Sequence, residues 1–330
     1  MKQSRSLLIR RVPASYVWLI HRLLLALVML AVVSVLIFCA TQALPGDVAR
    51  IILGKEASEA QLALVRSQLR LDQPIWSQYL SWLLGVLNGD FGQSIVARVP
   101  VFDLIVPRVG NSFLLVLLSM GLAVPVSICL GLLTASWKDG LTDRVLMGAG
   151  VIVNALPEFV LALLLILLLS TNVFHVFPAV SLLSPGTSIW AQLDRLVLPV
   201  VTLFLLQTTY LYRLVRGTVI DVLNTEYVQF AALKGMPNRV ILFRHVLPNS
   251  LVPAIQAAGT IFAYSVGGIV VVEYVFGFPG LGTALADAVG TRDIPVVQAV
   301  VLTIAVTFFV VNIVTDLLSF WLTPPGRAGR

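Results

Sequence analysis

Two glutamates occupy positions where an ionised side chain is costly, within or beside long apolar runs of the sequence. Glu158 directly follows Pro157, and Glu273 lies at the end of another apolar run. Ionisable residues at such positions usually face a cavity or a partner group. An ionised carboxylate there could line a pore and bind a positively charged amino group. The structural alternative is that Glu158 adjusts a kink at Pro157 and that Glu273 lies at the outer mouth of the pore and holds the loop that follows it.

The sequence contains no pattern typical of a nucleotide site, a hydrolytic enzyme or a metal centre. G-x-x-x-x-G-K-[ST] is absent, and the residues around the Gly-Lys pair Gly54-Lys55 do not fit it. H-E-x-x-H, G-x-S-x-G and G-x-G-D are also absent, which argues against a membrane-embedded enzyme. The histidines lack the spacing of metal ligands: they are His21, His175 and His245. We therefore expect no catalytic residue, no metal site and no cofactor in this chain, so any ATP must be bound by another one.

A charged segment of helix-forming residues, Glu226–Pro248, separates two long apolar runs. Asn224 or Thr225 could cap a first helix, with Glu226 at the positive end of its dipole. Gly235 is typical of the position after a helix, and the proline two residues later prevents continuation. A second short helix is predicted over 238–247, with Pro248 at the entry to the next apolar run. A structured polar segment between apolar runs indicates a docking contact for another protein.

The composition requires lipid as the solvent for much of the chain. Of the 330 residues, 58% are hydrophobic and 12% are charged, and the mean hydropathy is +0.96. A soluble domain of this size could not cover so much apolar side chain with polar groups. A helix needs about 20 apolar residues to cross a bilayer. We therefore predict an all-α polytopic membrane protein, a single transmembrane domain over 1–330, with six spans at approximately 17–41, 111–136, 145–172, 196–219, 251–275 and 298–322.

Lys and Arg are distributed unevenly between the two sides of this predicted domain. The side with both termini and the segments 137–144 and 213–250 has 14 of them, and the other has 8, six of which lie in the long loop 42–110. Because basic loops stay in the cytoplasm, we predict cytoplasmic termini, a cytoplasmic loop at 220–250 and a periplasmic loop at 42–110. Short helices are expected in that outer loop, one of them after Pro74. The net charge of +6 is explained by this bias, so no nucleic acid partner is expected.

The segment Glu226–Pro248 resembles the EAA loop, the cytoplasmic loop of permease subunits in bacterial ABC importers. When the segment is aligned on Gly235, it is similar to the Tyr-Val-x-x-Ala-x-x-Lys-Gly form found in the peptide-permease branch. It departs from the general EAA pattern at Gln229, Phe230 and His245. The residues that carry the resemblance, together with the acidic Glu226, are Tyr227, Val228, Ala231, Lys234, Gly235, Leu247 and Pro248.

Further motifs similar to those of the peptide branch follow one another in the expected order along the chain. They are Leu44-Pro45-Gly46-Asp47, Leu71-Asp72-Gln73-Pro74, Gly89-Asp90-Phe91-Gly92, Glu273-Tyr274-Val275-Phe276 and Pro279-Gly280-Leu281-Gly282. Together with the EAA-like segment they cover most of the sequence. The chain is identified as a member of the dipeptide/oligopeptide/nickel permease family and is most similar to the first of the two permeases in such systems.

This resemblance implies the fold of a type I ABC importer permease in the bacterial inner membrane. It also implies a second homologous permease, two cytoplasmic ATPases that bind ATP and Mg, and an extracytoplasmic binding protein that delivers substrate. In that family the EAA loop docks on an ATPase, so the residues above would couple transport to ATP hydrolysis. The expected substrates are dipeptides and oligopeptides, with nickel chelates, glutathione and opines as alternatives. An ion-coupled secondary carrier is a distant alternative that would favour inverted repeats, which are not evident in the sequence.

Overall fold

The computed structural model describes residues 14–43, 58–60, 73–184 and 189–322, and the motif residues 44–47 and 71–72 lie outside them. Within the described part, π-helical turns lie at Leu167–Thr171 and at Ile241–Val246. The helices of the described part are α1 (Ala14–Gln42), α2 (Ile75–Leu87), α3 (Val101–Ser136), α4 (Leu141–Ala155), α5 (Glu158–Ile166), α6 (Leu193–Leu223), α7 (Glu226–Leu233), α8 (Asn238–Phe276), α9 (Leu281–Thr291) and α10 (Ile294–Leu322).

The described helices confirm the prediction of an all-α membrane protein. Five of them are long and apolar enough to cross a bilayer, namely α1, α3, α6, α8 and α10, and the bent pair α4 and α5 can form a sixth span. The ends of α1, α6 and α10 differ from the predicted bounds by no more than four residues. The predicted helix after Pro74 is also present, as α2. The helix α9, between the fifth and sixth spans, was not predicted.

The second span begins ten residues earlier than predicted, so the outer loop ends before Val101 rather than at residue 110. The first three turns contain Asp103, Pro107 and Arg108, which lower the local hydropathy and suggest a loop. Packing decides otherwise, because Val101 and Ile105 are buried among residues of α9 and α10. A helix whose apolar side chains are held by neighbouring helices tolerates polar residues on its other face.

The predicted span 145–172 is not one straight helix. Its two parts, α4 and α5, meet at an angle of 103°. The break lies at Leu156 and Pro157, which have extended ψ angles of 131° and 145°. Proline lacks the N–H of a helical residue and disfavours a helical conformation in the residue before it. The bend places the N-terminus of α5, and with it Glu158, inside the bundle.

The helices α3 and α6 pack against each other in the centre of the molecule. The main core lies between them and α8, and it includes Leu115, Leu203 and Phe276. Close approach of the two helices depends on Gly131, because a Cβ atom there would lie 2.6 Å from Cγ1 of Val215. A second core joins the start of α3 to α9 and α10, and a third joins α3, α6 and α8 to α7.

We call the face of the bundle at which α7 lies the insert side, and the face at which α9 lies the opposite side. The first and last spans are joined near both ends. Toward the opposite side, the Gln298 amide donates to Thr41 Oγ1 at 2.7 Å. Toward the insert side, Arg22 forms an ion pair with Asp316. The short helix α2 is fixed to α1 by a hydrogen bond between the hydroxyls of Ser34 and Tyr79, 2.8 Å apart.

Candidate functional site

One face of the insert helix α7 is fixed to the membrane domain of its own chain. Val228 and Ala231 are buried against Val215 and Val219 of α6 and against Val246 of α8. Both belong to the predicted coupling loop. Their burial against their own chain holds α7 in place. A helix of eight residues is too short to be stable alone, so it depends on such packing.

The other face of α7 presents large apolar side chains to the exterior. Leu233 is 82% exposed and Phe230 62%, and Tyr227 lies beside them with 41%. Glu226 and Lys234 are exposed at the two ends of the helix. Large apolar groups on a projecting polar segment, surrounded by charges, are typical of a protein contact. The exposed face of α7 is therefore a candidate docking surface.

The predicted first helix of the insert is confirmed, and its end has the expected geometry. Thr225 precedes the helix, but its hydroxyl donates to Val222 O and makes no capping hydrogen bond, so the predicted side-chain cap is absent. Lys234 closes the helix, and Gly235 follows with a φ angle of +77°. The N–H of Gly235 donates to Ala232 O at 2.9 Å. This left-handed conformation is accessible to glycine at little cost and reverses the chain after the helix.

The predicted second short helix, 238–247, is wrong as a separate element. It continues without a break into the fifth span, so that α8 runs from Asn238 to Phe276. Pro248 does not end it, because the π-helical turn Ile241–Val246 lies just before the proline. The carbonyl of His245 accepts a hydrogen bond from the Asn249 side chain at 2.6 Å, which satisfies an acceptor near the missing N–H. The insert therefore has a direct helical connection to the core of the membrane domain.

A buried ion pair supports the bundle on the insert side. The guanidinium of Arg216 on α6 donates to both carboxylate oxygens of Asp143 on α4, each at 2.6 Å. Asp143 also accepts from the backbone N–H of Asp139 at 3.0 Å. Paired, hydrogen-bonded charges of this kind are costly to separate because the remaining charge stays buried. This pair fixes the start of α4 to the helix from which α7 extends.

A cavity of ≈ 580 Å³ lies between the α4–α5 bend, α6 and α8. Gln207, which lines it, is the fifteenth residue of the 31-residue helix α6, so the cavity lies near the middle of the membrane span. Tyr210, Thr260, Tyr264 and Ser265 add polar groups to its wall. Concave sites with mainly apolar walls and a few polar groups are typical of ligand pockets.

Glu158 is the sole charged residue of this cavity among the described residues that line it. It is the first residue of α5, where the bend ends, and it lies beside Gly268 of α8. Opposite it, the amide nitrogen of Gln207 donates to Ser265 Oγ at 3.0 Å. The Gln207 carbonyl oxygen is buried without a hydrogen-bond partner in the described structure. A single carboxylate among the described lining residues suits a ligand with a positively charged donor, such as an ammonium group.

Glu273 lies apart from this cavity. It is fully buried, with 0% exposure, near the opposite-side end of α8. Its carboxylate accepts from Ser112 Oγ at 2.5 Å and from the Gly282 N–H at 2.6 Å. Asn111 supports the same loop by donating to Pro279 O at 2.8 Å. The two alternatives considered from the sequence were a pore residue and a loop anchor, and this geometry favours the anchor.

Two family patterns together cover nearly the whole chain. Residues 127–325 match the family described as the inner membrane component of binding-protein-dependent transport systems. Residues 16–116 match the N-terminal part of the membrane component of such systems. The chain belongs to this permease family. It is accordingly a multi-pass protein of the inner membrane and a permease subunit of an ABC importer.

Relatives of this permease include three proteins named glutathione transport system permease protein GsiC. They come from Salmonella choleraesuis (strain SC-B67), Salmonella typhi and Escherichia coli (strain K12). Each is 36% identical to this chain over 310 residues, which is 94% of this chain and 98% of the relative. A permease of this family works with a binding protein, an ATPase and other permease components, and it is not catalytic by itself.

Several residues that shape the permease site were missed in the sequence. Asp143 and Arg216 are 73 positions apart and pair only because α4 folds against α6. Gln207 had a detectable signal, since a polar residue in the middle of an apolar run usually faces the bundle interior. Ser112, the partner of Glu273, had none, because single serines are common in apolar helices.

Replacing Gly235 tests whether the turn after α7 matters for coupling. A Cβ atom at this position would meet nothing within 4 Å, so a substitution costs backbone strain and causes no clash. We expect Gly235→Val to raise the energy of the left-handed turn by about 1–2 kcal/mol and to lower ATP-driven uptake about tenfold. Gly235→Asn should retain most uptake because asparagine tolerates this conformation. Equal uptake by both variants in proteoliposomes would contradict a role for the turn.

Proposed function

We propose that this permease imports short peptides with a free ammonium group, glutathione among them. The observation that carries the proposal is the mid-membrane cavity with the carboxylate of Glu158 as its charged group. A peptide ammonium can donate to this carboxylate, and Tyr210, Thr260 and Tyr264 add further polar groups to the cavity wall. The apolar walls accommodate side chains of different shapes, which suits a substrate class rather than one molecule.

Glutathione is one specific candidate within this class. The names of the relatives favour it, and glutathione also has an ammonium group. The described cavity has no cationic side chain, whereas glutathione carries two carboxylates in addition to its ammonium. On this proposal, any positive charge for them comes from the second permease subunit or the binding protein.

The complex that we propose has the composition expected from the family resemblance. It contains a second homologous permease, two cytoplasmic ATPases that bind ATP and Mg, and one extracytoplasmic binding protein. The exposed apolar face of α7 docks on one ATPase, and both termini lie in the cytoplasm. The cavity of this chain forms half of the translocation path, and the second permease closes it. Alternation between inward-open and outward-open forms moves the peptide across.

Uptake by the complete importer in proteoliposomes tests the substrate class. We expect ATP-dependent uptake of a dipeptide and of glutathione, and none of a nickel–histidine chelate. Uptake of the nickel chelate but of neither peptide would show that the substrate is a nickel chelate. Uptake that continues without ATP and stops when a proton gradient is removed would support a secondary carrier instead.

Replacing Glu158 tests the cavity itself. Glu158→Gln keeps the shape of the side chain and removes its charge, so we expect the maximal uptake rate of both peptides to fall about tenfold. Asp287→Asn is a matched control, because Asp287 is an exposed acid on α9, away from the cavity. Binding of the peptide by the binding protein should be the same in all samples. Unchanged uptake by the Glu158 variant would remove this residue from the translocation path.

A further inference from the structure

A second cavity, also of ≈ 580 Å³, opens on the insert side between the end of α3, the end of α6 and the start of α8. We call it the insert groove. It is separate from the mid-membrane cavity, with which it shares no lining residue, and from the exposed face of α7. Neither the resemblance to permeases nor the proposed peptide path explains its presence.

The insert groove has an apolar end and a polar end. Cys129, Leu132 and Phe243 line the apolar end, whereas Asn238 and Arg239 lie at the start of α8. Cys129 is seven residues before Ser136, the end of α3, and therefore about 10 Å inside the span. A water-soluble protein would not reach that depth. An elongated amphiphile, with its apolar tail toward Cys129, would match this arrangement.

The polar end of the groove lies at the membrane boundary, and its charged lining residue is Arg239. Trp137, exposed at the end of the second span, is typical of the interface between lipid and water. Arg239 lines the groove and Lys138 directly follows Trp137, and in the described structure neither side chain forms an ion pair. Of the acids in the adjoining loop, Asp143 is bound to Arg216 and Asp139 is exposed. Basic pockets between spans on the cytoplasmic side favour anionic lipid headgroups.

We propose that the insert groove binds an anionic phospholipid of the leaflet on the insert side. One acyl chain lies along the apolar wall toward Cys129. The phosphate contacts Arg239 and Lys138 at the membrane boundary. Because Ile241 and Leu242 also line the groove, the bound lipid contacts the π-helical turn that connects the insert to the fifth span. The lipid would therefore act as a structural ligand of the region that couples α7 to the membrane domain.

Photo-crosslinking of the complete importer in nanodiscs tests this site. The probes are phosphatidylglycerol and phosphatidylcholine, each with a diazirine in one acyl chain and used at equal fractions. We expect phosphatidylglycerol to label peptides from residues 129–137 and 238–243 about fivefold more than phosphatidylcholine. Arg239→Gln should remove most of this preference. Arg244→Gln is the matched control, because Arg244 is a nearby exposed arginine outside the groove, and it should leave the preference unchanged.

A second pair of variants tests the apolar end of the groove. The two cysteines are both exposed and lie in different spans, but only Cys129 lines the groove. Cys129→Trp should fill the groove and lower lipid labelling of the segments 129–137 and 238–243 about tenfold. Cys39→Trp should leave this labelling unchanged. Equal labelling by the two lipids with no effect of Arg239→Gln would show an ordinary lipid-facing surface and overturn the proposal. Absence of labelling in the complete importer, with the groove protected by another subunit, would overturn it as well.

Discussion

Replacing Leu233 with aspartate is expected to abolish coupling between ATP hydrolysis and transport while the permease still inserts and folds. Leu233 is 82% exposed on α7 and contributes nothing to the core of its own chain. Burying a leucine at an interface contributes about 1.5–3 kcal/mol, and an unpaired aspartate in an apolar socket adds a further penalty. We expect docking of the ATPase to weaken about 100-fold or more. Peptide-stimulated ATPase activity in proteoliposomes measures the loss.

The control for this prediction is Leu141→Asp. Leu141 is 80% exposed at the start of α4, on the same side of the bundle but outside the insert. The two substitutions are chemically identical and occur at equally exposed positions. Loss of coupling in the Leu233 variant alone would assign the effect to α7. If both variants couple normally and the ATPases copurify with each, α7 is not the docking element.

Replacing Glu273 with alanine is expected to destabilise the permease by about 3–5 kcal/mol. The change leaves the hydroxyl of Ser112 and the N–H of Gly282 without their buried acceptor and opens a cavity. The loop fits the carboxylate closely, since a Cβ atom on Gly282 would lie 2.9 Å from Oε2 of Glu273. The thermal unfolding midpoint of the purified complex should fall by about 5 °C or more.

Comparison with Glu158→Ala separates the two roles that an acid in this permease can have. Glu158 lines the mid-membrane cavity and is partly exposed, so its replacement should change stability little and reduce peptide uptake. Glu273→Ala should instead reduce stability and protease resistance first. A stable Glu273 variant that has lost uptake would show that Glu273 acts in the translocation path and would contradict the anchor role.

The predictions from the sequence were most accurate where local chemistry alone determines the structure. The first insert helix begins after Thr225 and turns at Gly235 as predicted, because a glycine followed closely by a proline is a strong local stop signal. The spans α1, α6 and α10 were placed within four residues, since their apolar runs are long and continuous.

The differences between prediction and structure arise from packing between helices and, at Pro248, from a local π-helical turn. The start of α3 was read as a loop because Pro107 and Arg108 lower its hydropathy, yet contacts with α9 and α10 keep it helical. Pro248 suggested a boundary between a short helix and the fifth span. The helix nevertheless continues through Pro248, with a π-helical turn directly before it. Likewise, Val228 and Ala231 match a docking motif in the sequence, and only their contacts with α6 and α8 show that they face inward.

The sequence by itself determined that this chain is a six-span membrane permease whose polar insert has a helix, a turn and a family-specific motif. These properties follow from hydrophobic runs, single glycines and prolines, and short patterns, all of which act over a few residues. The tertiary structure decided which of the two acids, Glu158 or Glu273, faces a cavity, and which side of α7 is available to a partner. Those outcomes depend on contacts between different helices, such as Glu273 with Ser112 and Val228 with Val246, and such contacts have no local signature.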